Sequence, residues 1–164
     1  MSGALTLFLV AVLAVSSLHK MIARDRLATT TAKLARIAAP LGMPLLLVTA
    51  TIEILAALAL LIPTLRQGGA LAAAGLWAVY GLALLSRRGQ TLDCGCDLFS
   101  REKPVDGFAI LRPWALAALA AWLAFSPVAT WTLDAPFAAL AFLALWFASG
   151  ELAVLPHLAR ISRR

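Results

Sequence analysis

Charged residues are scarce in this sequence, and their scarcity argues against a water-soluble domain. Only 13% of the 164 residues are Asp, Glu, Lys or Arg, whereas 62% are hydrophobic. Too little polar surface remains to cover a soluble domain, so the surplus apolar surface needs a lipid bilayer. The formal charge of +6 does not indicate a nucleic-acid partner, because no aromatic side chains alternate with basic ones on one face.

Cysteine and histidine are nearly absent as well. The two cysteines, Cys94 and Cys96, are too few for the disulfide framework of a secreted mini-protein. They also fall short of the four ligands of a structural zinc site, and neither His19 nor His157 lies beside them. We therefore predict no metal site. The chain also lacks a nucleotide-binding loop and a serine-elbow motif, which leaves the Cys-Gly-Cys motif as its distinctive chemical feature.

Long apolar runs, by contrast, are abundant. A helix that crosses the hydrocarbon core needs about 20 predominantly apolar residues, and five segments qualify: 2–18, 39–65, 68–86, 111–125 and 136–155. We predict an all-α polytopic transmembrane bundle that forms one membrane domain over residues 1–164, with the Cys-Gly-Cys motif in the loop 87–110. Between the first two spans, apolar residues recur among basic ones, a pattern typical of a helix lying at the membrane surface.

Basic residues predict the orientation of the bundle, because Lys and Arg near helix ends are retained on the cytoplasmic side. Thirteen of them follow the first span, follow the third span or end the chain, and one lies in the alternate set of loops, at Arg66. We predict an inner-membrane protein with its N-terminus outside and its C-terminus in the cytoplasm. This orientation places Cys94 and Cys96 on the cytoplasmic side.

The pair Cys94 and Cys96 has two interpretations. A disulfide between residues i and i+2 is strained and more readily reduced than a structural one, and Gly95 relieves part of the strain because it lacks a Cβ atom. The pair is then a redox couple. Alternatively, it is two unreactive thiols in a turn. Neighbouring charges do not decide between the two interpretations, because Asp93 and Asp97 disfavour a thiolate whereas nearby cations favour it.

Glu53 lies near the middle of the second span, where an ionised carboxylate is costly unless it is paired or protonated. We expect it to face the interior of the bundle. Its functional interpretations are a proton relay, a tuning group, or a contact for a bound partner or a quinone. The structural interpretation is an interhelical hydrogen bond that fixes packing.

Several residues together resemble a known family, the MauE methylamine-utilisation membrane proteins within the broader DoxX-like group. The resemblance covers about Leu7 to Phe125, and its most specific element is Asp93-Cys94-Gly95-Cys96 between the third and fourth spans. Single residues that match are Lys20, Glu53, Gly89, Gly107 and Arg112. The resemblance implies a four-helix DoxX-like core, to which this chain adds one C-terminal helix.

The resemblance also implies a function: maturation of the disulfide-rich small subunit of methylamine dehydrogenase, together with a thioredoxin-like partner. In general form, we predict a membrane thiol/disulfide redox component that supports maturation of an exported, disulfide-containing client, with thiol–disulfide oxidoreductase activity through Cys94 and Cys96. Two alternatives remain open. One is a non-catalytic assembly or transport subunit, and the other is a quinone-linked DoxX-like small subunit that depends on Glu53.

Overall fold

The computed structural model describes residues 2–92, 103–127 and 132–152. Within these ranges the chain forms six α-helices and one pair of two-residue strands, which confirms the predicted all-α polytopic bundle. The elements are α1 Ser2–Ile22, α2 Arg24–Ala35, α3 Gly42–Leu61, α4 Arg66–Leu85, β1 Thr91–Leu92, β2 Lys103–Pro104, α5 Gly107–Phe125 and α6 Ala135–Leu152.

Among the described residues, four helices are long and apolar enough to cross a membrane: Ser2–Ile22, Ala39–Leu61, Arg66–Leu85 and Gly107–Phe125. The second of these ranges includes a single 3-10 turn, Ala39–Leu41, that leads into α3. They correspond to the first four predicted spans. The fifth predicted span corresponds to α6, whose apolar stretch Ala135–Gly150 is shorter than the other four.

Residues at the helix boundaries explain where several elements stop and start. Helix α2 ends because Arg36 adopts a left-handed conformation with φ of 58°, and Pro40 then forms the 3-10 turn. The side chain of Asp106 accepts a hydrogen bond of 2.8 Å from the Ala109 backbone N–H and so caps α5. Just before α6, a hydrogen bond with the Thr132 side chain lowers the pKa of the Asp134 carboxyl.

The four long helices pack in the order α1, α3, α4, α5, with each neighbouring pair in extensive contact. Their shared core contains fully buried leucines at Leu9, Leu13, Leu60 and Leu123. Small residues allow the helix backbones to approach closely. A Cβ atom on Gly69, for example, would lie 2.8 Å from the Ala59 Cβ and 2.9 Å from the Leu60 backbone nitrogen.

The contacts of helix α2 show which helix ends lie together. It follows α1 directly and packs on the start of α3 through Leu27 and Ala28. Arg36 Nη2 donates to the Ser86 carbonyl at 3.5 Å, and Arg87 donates to the Lys33 carbonyl. The C-terminal ends of α1 and α4 therefore lie at one end of the bundle, together with β1 and β2. We call this the hairpin end.

At the opposite end, Arg66 closes the C-terminus of α5. Its Nη1 atom donates to the backbone carbonyls of Ser126 at 3.0 Å and Pro127 at 3.2 Å. Both carbonyls lie immediately after the last residue of α5, Phe125. Arg66 is 6% exposed, so the cation that sequence alone assigned to a loop is a buried cap.

Helix α6 packs on the outside of the four-helix core, against α1. The ring of Phe8 makes edge contacts with Phe142 and Trp146, at centroid distances of 6.1 and 6.2 Å. From α5, the Arg112 guanidinium lies 4.5 Å from the centroid of the Trp146 ring, and its Nη2 donates to the Trp146 carbonyl at 3.1 Å. Arg112 and Trp146 thereby attach α6 to the core.

Candidate functional site

Glu53 is the most deeply buried charged residue among those described. It lies near the middle of α3 and is 0% exposed, as predicted for a residue facing the bundle interior. A carboxylate in such surroundings needs hydrogen-bond donors or a cation, because burial removes the water that would otherwise stabilise its charge.

That cation is Lys20. Its Nζ atom lies 2.7 Å from Oε1 of Glu53, and the two side chains are 6% and 0% exposed. The sequence interpretation placed Lys20 in a cytoplasmic loop after a span ending at Leu18, and this was wrong. Helix α1 continues to Ile22, so Lys20 belongs to its last turn and reaches inward.

Two neutral side chains complete the cluster. Ser16, one helical turn before Lys20, donates to Oε1 of Glu53 at 3.0 Å and accepts from Lys20 Nζ at 2.6 Å. Tyr80 on α4 donates its hydroxyl to the same Oε1 atom at 3.2 Å. Its ring centroid also lies 5.3 Å from the Lys20 ammonium, within the range of a cation–π contact. We call these four residues the buried polar network.

The network lies below the hairpin end of the bundle. Ser16 is six residues from the end of α1, and Tyr80 is five residues from the end of α4. At a rise of about 1.5 Å per residue, roughly 7 to 9 Å of helix separates the network from these ends. The network thus joins α1, α3 and α4 within two helical turns of the C-terminal ends of α1 and α4.

The strands pair to form a short stem, and the Cys-Gly-Cys motif lies in the sequence between them. Thr91 pairs with Pro104 and Leu92 with Lys103 in antiparallel register. Below them, the backbone N–H of Gly89 donates to the Val105 carbonyl at 3.0 Å, and that of Val105 donates to the Gln90 carbonyl at 2.8 Å. Cys94 and Cys96 follow β1 by a few residues and lie outside the described residues, so their role stays a prediction.

Two of the basic residues assigned to loops lie within the bundle. Lys20 is paired inside the bundle and Arg112 contacts Trp146 from within α5, so neither belongs to a loop. The other eleven cations of the predicted cytoplasmic set follow the first or third span or end the chain. The asymmetry on which the orientation depends therefore persists, and the orientation stays a prediction.

Sequence reasoning identified Glu53 but missed its partners. Ser16 and Lys20 are four residues apart and so share one face of a helix, which is a pattern that could have pointed to a polar face on α1. Tyr80 is the single tyrosine of the chain, within an apolar helix, where a hydroxyl group requires a hydrogen-bond partner.

The buried polar network contains one ion pair, formed by Lys20 and Glu53. Its hydrogen bonds to the Glu53 carboxylate are unevenly distributed between the two oxygens. Oε1 of Glu53 accepts from Ser16, Lys20 and Tyr80, whereas Oε2 has no partner among the described residues. Such an oxygen can accept a further hydrogen bond.

The fold and the network define a class: a small polytopic membrane bundle of four core helices with a buried Lys–Glu pair and a two-stranded stem at one end. A family model described as "Methylamine utilisation protein MauE" matches residues 1–126. The chain belongs to the MauE family, and this membership relates it to methylamine utilisation. The match covers α1 to α5, which leaves α6 outside it. No curated protein and no solved structure matches the chain.

Proposed function

We propose that this chain is a thiol–disulfide redox component of the inner membrane that supports maturation of an exported, disulfide-containing partner. The observation that most supports the proposal is the β1–β2 stem. It brings Leu92 and Lys103 opposite each other, and Cys94 and Cys96 lie in the sequence between these two residues. A short, tied segment presents two nearby thiols to a partner protein at a low entropic cost.

The proposed reaction is exchange between this pair and a partner disulfide. A Cys94 or Cys96 thiolate attacks one sulfur of the partner disulfide and forms a mixed disulfide while the other partner sulfur leaves as a thiolate. The second cysteine of the pair then attacks the mixed disulfide, which oxidises the pair and reduces the partner. The reverse sequence oxidises a partner dithiol, and protons follow the thiolates in either direction, so no further oxidant is required for the exchange itself.

Charges at the hairpin end act in both directions. Arg87 and Arg88 lie between α4 and the stem, where positive charge favours the thiolate form that attacks disulfides, whereas Asp93 and Asp97 beside the cysteines disfavour it. The proposed exchange partner is a thioredoxin-like protein, because such a protein supplies an accessible pair of cysteines with which a membrane thiol can exchange. Because the predicted orientation places the pair on the cytoplasmic side while the client matures outside, the proposal requires either that a rearrangement of the bundle carries electrons across the bilayer or that the pair is reached from the outer face.

The test is replacement of each cysteine. Cys94→Ser and Cys96→Ser variants, expressed to wild-type levels, should fail to support maturation of the partner, whereas a Gln90→Ser variant in the exposed part of the stem should support it fully. In parallel, alkylation after acid quenching of cells should show the pair in both oxidised and reduced forms. Full maturation with either cysteine variant, or a pair that is reduced under all growth conditions, would favour a non-catalytic assembly subunit.

A further inference from the structure

One of the two oxygens of the Glu53 carboxylate accepts all of its hydrogen bonds from the described residues. Oε1 accepts three hydrogen bonds, from Ser16 Oγ at 3.0 Å, Lys20 Nζ at 2.7 Å and the Tyr80 hydroxyl at 3.2 Å. Oε2 accepts none from the described residues, although Glu53 is 0% exposed. Buried polar atoms of proteins usually have a hydrogen-bond partner, so this asymmetry requires an explanation.

A proton on Oε2 would leave the observed hydrogen bonds in place. In a protonated carboxyl group the second oxygen is a carbonyl oxygen, which still accepts hydrogen bonds through its lone pairs. Because all three donors already point at Oε1, none of them would have to turn away when Oε2 becomes an O–H group. The geometry of the network therefore suits both the ionised and the protonated carboxyl.

Protonation would change the charge of the network from zero to +1, and the remaining cation has support of its own. Lys20 Nζ donates to Ser16 Oγ at 2.6 Å and lies 5.3 Å from the centroid of the Tyr80 ring. An aromatic face attracts a desolvated ammonium group. Lys20 thus keeps two favourable contacts that do not depend on the negative charge of Glu53.

The groups that face Glu53 come from each helix packed on α3. Helix α1 contributes Ser16 and Lys20, and α4 contributes the Tyr80 hydroxyl. Helix α2 presents the apolar residues Leu27 and Ala28 to the start of α3. Among the described residues, the charged group in contact with Glu53 is Lys20, so a proton is the simplest charge that can be added to the network.

We propose that Oε2 of Glu53 is a proton-binding position, which takes up and returns one proton while the Ser16, Lys20 and Tyr80 contacts to Oε1 persist. The ligand is a proton, and the acceptor is one oxygen of a single side chain. This proposal is independent of the thiol chemistry proposed for the hairpin and would stand if Cys94 and Cys96 proved unreactive.

The experiment is infrared difference spectroscopy of the full chain in phosphatidylcholine nanodiscs, titrated over the pH range in which its circular dichroism spectrum is constant. Lowering the pH should produce the carbonyl stretch of a protonated carboxyl group, with a small shift in D₂O. The Glu53→Gln variant should lose this band. The Asp25→Asn variant, which removes a carboxyl that is 88% exposed, should retain it.

The Tyr80→Phe variant gives a second test that keeps the ion pair. Loss of one hydrogen bond to Oε1 should move the carbonyl stretch of Glu53 to higher frequency, because hydrogen bonding weakens the C=O bond. The amide bands should be unchanged by the proton in wild-type protein. The proposal is overturned if no band depends on Glu53, if Tyr80→Phe leaves its frequency unchanged, or if protonation alters the amide bands.

Discussion

Lys20 and Glu53 come from helices separated in the chain by α2, yet Nζ of one and Oε1 of the other lie 2.7 Å apart in the interior of the bundle. Each side chain alone would be an uncompensated charge in apolar surroundings, and together they are neutral. The pair therefore ties α1 to α3, and the Tyr80 hydroxyl extends the connection to α4.

This pairing predicts strongly non-additive effects of substitution. Lys20→Met or Glu53→Leu alone should each lower the free energy of unfolding by about 3–5 kcal/mol, because each breaks a buried ion pair and leaves the remaining charge with only its neutral contacts to Ser16 and Tyr80. The double variant should be more stable than either single variant. Unfolding in mixed dodecylmaltoside and SDS micelles measures these differences, and additive losses would contradict a direct interaction between the two side chains.

Two adjacent glycines should respond oppositely to the same substitution. Gly69→Ala should destabilise the bundle by about 1–3 kcal/mol through overpacking, because the new Cβ would meet Ala59 and Leu60 of α3 at under 3 Å. At Gly68 an added Cβ meets nothing within 4 Å, so Gly68→Ala should stabilise α4 by up to about 1 kcal/mol through helix propensity. Thermal denaturation in detergent compares the two, and equal effects would contradict the close approach of α3 and α4.

The attachment of α6 predicts a contrast between neighbouring residues on that helix. Trp146→Ala should cost roughly 2 kcal/mol, less than a fully buried aromatic residue, because it removes the contacts with Phe8 and Arg112. Leu145→Ala, at a side chain that is 67% exposed, should have little effect. The measurement is unfolding in detergent, and similar losses for both variants would show that α6 is not held by the Trp146 contacts.

The proposed orientation predicts opposite labelling of the two ends of the bundle. In a variant with both native cysteines changed to serine, Leu133→Cys places a thiol at a position that is 95% exposed and lies between α5 and α6. A membrane-impermeant maleimide should label it in intact cells. Gln90→Cys, at the hairpin end, should be labelled only after the membrane is permeabilised. The reverse pattern would overturn the orientation.

Composition and apolar periodicity predicted the helical bundle, the first four spans and the burial of Glu53, because the length of each apolar run is set by the thickness of the bilayer. They could not predict which cation Glu53 meets. That contact depends on the length of α1. The sequence prediction ended this span at Leu18, before His19 and Lys20, whereas the helix continues to Ile22. A helix continues through Lys20 when the ammonium can reach an interior carboxylate instead of water.

The site was predictable only in part for a second reason. Tyr80 and Ser16 lie far from Glu53 in the chain and are polar residues of ordinary kinds, so their role emerges only when three helices pack. The basic residues show the same limit. In the sequence, Arg66 and Arg112 are charges near span ends. In the structure, Arg66 donates to the Ser126 carbonyl after α5, and Arg112 donates to the Trp146 carbonyl of α6.

The β1–β2 stem has a consequence for protein engineering. Because Leu92 and Lys103 are paired across it, these two residues lie about 5 Å apart, the usual spacing between paired strands. We therefore expect that a segment of different length or with different cysteine spacing can be inserted between them while α4 and α5 keep their packing.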